Sequence, residues 1–207
     1  MYEPFVEKTN VFVQHVDGTL YSPKQWESEG FDGNSANGIA VITDEASFVI
    51  SKDEFSSVKW YPTGSYVESV SYISHSNATE TDFSKYKDDA RKILSGQSDT
   101  DLIVSVATQG SAVQCHNYSF PNGKRGYLPA IGELIIVSDY LTEINEALTL
   151  IDGTVFSNKY YFSTTQEKIN TTKNEYNVFV VYPKSGLITP YTKTQVDWVN
   201  TRPFTTL

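Results

Sequence analysis

Residues 120–133 read Phe-Pro-Asn-Gly-Lys-Arg-Gly-Tyr-Leu-Pro-Ala-Ile-Gly-Glu, and this stretch decides how the rest of the chain is parsed. Asn122-Gly123 marks a tight turn. Pro129 has a fixed φ and no N–H to leave unpaired, which suits the first position of a helix. The spacing predicts a helix over 130–140, with Ile131, Leu134, Ile135 and Ser138 on one stripe. Glu133 falls in its first turn, where the helix dipole favours a carboxylate. Gly126-Tyr127-Leu128-Pro129 therefore drives an extended segment straight into a helix N-terminus. A second helix follows over 141–151, with Ile144, Leu148 and Ile151 aligned and Asp152-Gly153 as its stop. Upstream, 82–94 reads as an amphipathic helix capped by Asp82, with Phe83, Tyr86, Ala90, Ile93 and Leu94 on one face. Two shorter helices are predicted over 101–107 and 111–118.

Farther out on both sides the pattern changes to strands. Val11, Val13 and His15 alternate with Phe12, Gln14 and Val16, and Asp17-Gly18 supplies a hairpin turn before Thr19-Leu20-Tyr21. Residues 28–38 are rich in Gly, Ser, Asn and Asp and read as a loop. Gly38–Ile42 and Ser47–Ile50 form a second strand pair. After residue 153 the chain again reads as β: Tyr160-Tyr161-Phe162, Asn177–Tyr182, and a terminal strand ending at Arg202-Pro203-Phe204. Two polar loops, 165–175 and 183–196, are expected between these strands. The fold class is α+β. The expected division is an N-terminal β-rich segment over 1–64, which packs on the main domain or mediates assembly, and a domain over 65–207. No internal repeat and no linker are visible.

Composition narrows the function. The chain has 207 residues, 39% of them hydrophobic and 14% aromatic, enough to bury a core. The formal charge is −9, so a phosphate backbone meets the wrong field and nucleic acid is not an expected partner. No run approaches the ~18 apolar residues of a membrane helix, and no membrane insertion is expected. The N-terminus shows neither a basic region nor an apolar stretch of the secretion type. A single cysteine excludes an intrachain disulfide and a cysteine-rich zinc site. Only 20% of residues are charged, so hydroxyls and tyrosines must cover much of the surface.

The chemistry-bearing residues form no recognisable catalytic pattern. His15, His75 and His116 lack a His, Cys, Asp or Glu at metal-ligand spacing. Cys115 and His116 are adjacent and on a helix point about 100° apart. No G-x-S-x-G elbow is present. Asp88-Asp89, Asp99, Asp101, Glu143 and Glu146 read as solvated helix faces or caps. Phe120-Pro121-Asn122 and Asp197-Trp198-Val199-Asn200 supply too few oxygens for a calcium site. Asn77, Asn117 and Asn170 open chance matches to the glycosylation sequon. No cofactor, no metal and no enzymatic activity are expected. Arg202 lies between apolar neighbours, where a guanidinium could bind carbonyls or Glu133. The tyrosines and tryptophan near the C-terminus (Tyr160, Tyr161, Tyr176, Tyr182, Tyr191, Trp198) are divided between core packing and an adhesive face, since Tyr gives contact area at low entropy cost.

Four landmarks together resemble a C-type lectin-like domain family of bacterial surface proteins (Lcl-type adhesins) and phage proteins, notably of Bacteroidetes type. Phe120–Glu133 is similar to its G-x-W-Y-L-P-S-x-G-E-L signature. Ala112-Val113-Gln114-Cys115-His116-Asn117-Tyr118 matches the A-x-x-C-x-x-Y helix before it. Tyr161-Phe162-Ser163-Thr164-Thr165-Gln166 resembles the Y-W-S-S-T-E/Q strand, with Phe162 in place of Trp. Thr201-Arg202-Pro203-Phe204 resembles the terminal V-R-P/A-F, with Thr201 in place of Val. The likeness covers about residues 80–207, and the N-terminal strands look like the leader of phage-type members.

The resemblance implies a C-type lectin-like fold with an N-terminal β-rich segment, and non-enzymatic binding. The implied protein is a phage virion protein, on a tail or head fibre, that recognises a bacterial surface receptor or glycan in host attachment. The alternatives are a structural or decoration virion protein that uses the fold for assembly, and an adhesin on the bacterial cell surface. Partners would be that receptor or glycan, and virion proteins or the chain's own copies. In such proteins the residues between the Y-W-S-S-T strand and the terminal V-R-P-F carry the ligand, and some members are variable proteins of diversity-generating retroelements. Carried over position by position, this points to Gln166, Lys168, Asn170, Thr171, Asn174, Tyr176, Tyr191, Lys193 and Trp198. Loops 165–175 and 187–198 are then expected to form one exposed face anchored by Tyr176, Tyr191 and Trp198.

Overall fold

The computed structural model describes residues 9–61, 67–77, 79–169 and 172–207, with only the backbone of 172–176. The elements run β1 (Val11–His15), β2 (Leu20–Tyr21), α1 (Pro23–Glu29), β3 (Ala36–Ile42), β4 (Ser47–Ile50), β5 (Phe55–Ser56) and β6 (Tyr72–His75). They continue with α2 (Lys87–Arg91), α3 (Gly96–Val106), α4 (Ser111–Asn117), α5 (Ile131–Asp139) and α6 (Leu141–Leu150). The last strands are β7 (Tyr160–Ile169), β8 (Thr172–Tyr182), β9 (Leu187–Thr192), β10 (Val199–Thr201) and β11 (Phe204–Thr205). One sheet has the order β11-β4-β3-β1-β2; the other runs β5-β10-β7-β8-β9, with β6 paired to β7. Helices and strands are mixed around both sheets, in keeping with an α+β class.

Local chemistry explains most of these elements. The β1–β2 hairpin turns at Asp17-Gly18, where Gly18 has φ +93°, a conformation L side chains avoid. Asp17 Oδ1 accepts the Thr19 N–H at 2.8 Å and closes the turn. Helix α1 falls where a loop was expected to begin. Ser22 and Gln25 form a reciprocal capping box, Pro23 opens the first turn, and Gly30 ends the helix. The helix expected over 82–94 shortens to a 3-10 turn at Ser84–Tyr86 and α2. Its end lies against α5: the Gly132 N–H donates to Ile93 O at 3.0 Å. A Cβ on Gly132 would sit 2.4 Å from the Arg91 carbonyl oxygen, so only glycine permits the contact.

Helix α5 is buried from Ile131 through Val137, so it is apolar all round rather than along one stripe. It lies in a core shared by Val13, Ile39, Val41, Phe48 and Ile50 of the first sheet, Ile144 and Leu148 of α6, and Tyr161, Phe179 and Val181 of the second sheet. A second cluster packs Trp60, Ile103, Ala112, Cys115 and Leu128 on the opposite face of β7 and β8, through Phe162, Val178 and Val180.

One expectation is corrected here. The polar segment 165–175 is strand wherever it is described, and 183–196 contains a strand: β7 runs to Ile169, β8 starts at Thr172 and β9 covers Leu187–Thr192. Polar residues extend there because neighbours on both sides supply backbone partners, with Gln166↔Val178 and Lys168↔Lys173 on β8 and Tyr72↔Gln166 on β6. The N-terminal strands pair with the C-terminal ones. Strand β11 pairs with β4 (Phe204↔Ile50), and β10 pairs with β5 (Thr201↔Phe55). The N-terminal strands are packed into the body of the molecule.

Candidate ligand-binding face

The GYLP turn and the C-terminal strand meet. Tyr127 and Phe204 exchange backbone hydrogen bonds at 2.7 and 2.9 Å. Arg202, 1% exposed, turns elsewhere than Glu133. Its guanidinium donates to Glu54 Oε2 at 2.8 Å, Thr154 O at 2.7 Å and Ser51 O at 3.2 Å, over the Phe156 ring. Glu133 instead accepts from the Tyr127 hydroxyl and the Ala130 N–H, each at 2.7 Å. The signature residues thus hold the scaffold together.

The residues carried over as ligand contacts divide into groups. Gln166 is fully buried. Its amide brackets the backbone of Val67, accepting from N–H at 3.0 Å and donating to O at 2.9 Å. Lys193 is also fully buried, with Nζ 2.9 Å from Gln166 Oε1 and 4.8 Å above the Trp60 ring. Both are interior staples and cannot touch a ligand in this arrangement. Lys168 is half-buried, its Nζ 4.5 Å from the centre of the Tyr72 ring. Asn170 and Thr171 lie outside the described residues. Asn174 and Tyr176 are on β8, with their side chains outside the description. Tyr191 is half-buried and Trp198 is 71% exposed.

Around Tyr191 and Trp198 the sheet builds an aromatic margin. The pairings Tyr161↔Val181 and Val178↔Tyr191 set Tyr160, Tyr182 and Tyr191 on the face that carries Phe162 and Val180. The Tyr160 ring lies 5.4 Å from Tyr182 and 6.2 Å from Tyr191, and Phe162 meets Tyr191 edge-on at 6.4 Å. All three tyrosines are partly exposed. The Tyr191 hydroxyl donates to Asp197 O at 2.7 Å, and the Tyr160 N–H donates to Trp198 O at 3.0 Å, which fixes the loop carrying the indole. Burial, then the nearby Asp197, raises the Tyr191 pKa, so the phenol stays neutral. Trp198 has φ +66°, the left-handed region, which costs a residue with a Cβ about 1–2 kcal/mol. Strand β9 is the sheet edge here, and Pro190 removes one N–H from it. Side chains, not edge pairing, are what this margin offers a partner.

Tyr160 and Tyr182, which the sequence leaves between core packing and an adhesive face, lie on this face. The signal that finds them is register: Tyr161 and Val181 point into the main core, so Tyr160 and Tyr182 must point the other way. A separate groove of about 680 Å³ runs between α1 and α6, lined by Lys24, Glu27, Glu143 and Glu146 among others; none of the carried-over residues reaches it.

The remaining chemistry is dispersed. His75 Nε2 lies 2.9 Å from Glu167 Oε1, in the interior. Desolvation raises the Cys115 thiol pKa well above its ordinary value. Among the described residues no group of three or more His, Cys, Asp or Glu side chains could hold a metal ion. No described helix is long and apolar enough to cross a membrane. Asp99, expected on a solvated helix face, is 3% exposed and accepts hydroxyls of Ser71, Ser95 and Thr164.

Comparison with protein-family models, curated proteins and solved structures finds no match to this chain.

Proposed function

We propose that this chain is a non-enzymatic binding protein of C-type lectin-like fold, a phage virion protein of the tail or head fibre that recognises a bacterial surface receptor or glycan. The observation that carries the binding role is Trp198. A large aromatic ring is held 71% exposed on a backbone conformation that itself costs stability. Folding gains nothing from that placement, and strain kept at an exposed aromatic is a mark of a recognition residue. The three neighbouring tyrosines extend the contact area from rigid strands. The family reading is supported by the way its landmarks come together: the GYLP turn bridges Phe204, and the Ile131 N–H donates to the Thr165 hydroxyl of the Y-F-S-T-T strand at 3.2 Å.

The test uses the tryptophans. Trp26 and Trp60 are 1% exposed, so Trp198 dominates any ligand-dependent change in intrinsic fluorescence. Labelled protein is screened for adsorption to a panel of bacteria, and purified surface polysaccharides from any positive strain are titrated by fluorescence. Trp198→Ala combined with Tyr191→Ala should abolish adsorption and leave the melting temperature within about 2 °C. Adsorption undiminished in the double variant would refute this face as the site. A variant that adsorbs normally but no longer associates with its own copies would favour the assembly role.

A further inference from the structure

Behind the binding face, two carboxylates share the interior with neutral donors. Glu133 is 5% and Asp99 3% exposed. Glu133 accepts from the Tyr127 hydroxyl, the Ala130 N–H and the Gly96 N–H. Asp99, one turn farther along α3, accepts the Ser71 N–H at 3.2 Å and the hydroxyls of Ser71, Ser95 and Thr164. The groups facing the pair are Tyr127 from the turn before α5, Ser71 from the segment at β6, Ser95 at the N-cap of α3, and Thr164 and Thr165 from β7. Arg91 on the adjoining α2 turns outward to Glu45 and Asp139. Among the described residues no lysine, arginine or histidine donates a hydrogen bond to either carboxylate.

Two buried anions without a cation are costly, and the pair relieves that cost by holding a proton. Asp99 accepts four hydrogen bonds and Glu133 three. Glu133 is pushed up to about 7, by burial first, with Asp99 adding to the rise. Asp99 also anchors Ser71 in the middle of segment 67–77. That segment is held by three polar clamps: Gln166 and Glu167 of β7 on Val67 and His75, and Asp99 of α3 on Ser71. Opening it would admit water to Asp99 directly, and to the start of α5 that carries Glu133 through Thr165, whose hydroxyl lies 3.4 Å from that of Ser71 and accepts the Ile131 N–H.

We propose that Asp99 and Glu133 form a one-proton latch, which holds segment 67–77 shut against β7 while the proton is bound and loosens it when the proton leaves. The sign follows from linkage. Glu133 has a higher pKa when shut in than when solvated, where its ordinary value is 4.5. The shut state therefore binds the proton more tightly. The latch is fully set below about pH 4.5, weakens as pH rises to about 7, and is at its weakest above that. At tenfold per pH unit the span is on the order of a hundredfold.

The test is amide hydrogen exchange, corrected for intrinsic rates, at pH 5 and pH 8. In the wild type, protection of the Gln166 N–H, which donates to Ser71 O, and of the Ile73 and His75 amides should fall on the order of a hundredfold. Amides of α6 should fall far less. Glu133→Gln, a mimic of the protonated side chain, should remove the fall and leave the segment more protected than wild type at pH 8. An equal fall in the variant, or a fall shared in step by α6, would overturn the latch. Independently of any variant, a ¹³C titration of Glu133 Cδ with a midpoint in the ordinary range near 4.5 would overturn it too.

Discussion

Arg202 is the residue on which the C-terminal end depends. Its side chain is fully buried, and its partner Glu54 retains 12% side-chain exposure. Glu54 also accepts the Tyr161 hydroxyl at 2.6 Å and the Asn200 amide at 2.7 Å, so one carboxylate joins β5, β7 and β10. Removing the cation leaves that carboxylate with an unbalanced charge and two carbonyls, Ser51 and Thr154, without a donor. Arg202→Ala should cost about 3–5 kcal/mol, measured by urea unfolding. Glu54→Gln keeps the shape of the side chain but removes the charge, and should cost less. A double-mutant cycle should show strong coupling between the two sites, and additive effects would mean that they act separately. Trp198 is the opposite case at the same scale. Trp198→Gly relieves a left-handed backbone and removes an exposed ring, so its melting temperature should hold steady or rise slightly. A clear loss of stability would show that the indole packs on the molecule.

At the scale of elements, two short pieces do more than their length suggests. Strand β11 has two residues, yet Phe204 pairs with Ile50, bridges Tyr127 and stacks on Phe48 at 4.9 Å. Ending the chain after Arg202 removes this strand and opens a hole beside β4. Loss of a buried Phe alone costs about 3–5 kcal/mol, and the truncated chain should melt at least 10 °C lower. Helix α1 is legible in the sequence: Ser22-Pro23, Gln25 and Gly30 are start and stop signals within nine residues. Trp26 from this helix is 1% exposed among His15, Tyr21 and Phe31. By contrast, no local signal could separate strand from loop over 165–175. That segment is polar, and its β7 part, to Ile169, is extended because β6 and β8 flank it.

For the whole molecule, the first sheet and the second are joined through α5, α6 and β11. Removing residues 1–60 would strip Val13, Ile39, Val41, Phe48 and Ile50 from the shared core and leave β11 without a partner. The remainder should lack a cooperative melting transition and bind hydrophobic dyes; a folded, soluble 61–207 fragment would show that the two parts are separable. The sequence by itself determined the local alphabet: the β1–β2 hairpin, the helices after Pro129, the α+β class, and the place of Glu133 in the first turn of a helix. Each rests on side-chain chemistry acting within a turn or two, or on apolar spacing. Only the tertiary structure decided which polar residues face water. Gln166 and Lys193 look like contact residues in a polar stretch, and they are buried because Val67 and Trp60, distant in sequence, close over them. Asp99 looks like a solvated helix charge, and it is interior because Ser71 and Thr164 supply donors from two other elements. A buried polar group is defined by partners that the chain brings from elsewhere, and spacing along the sequence carries no record of them.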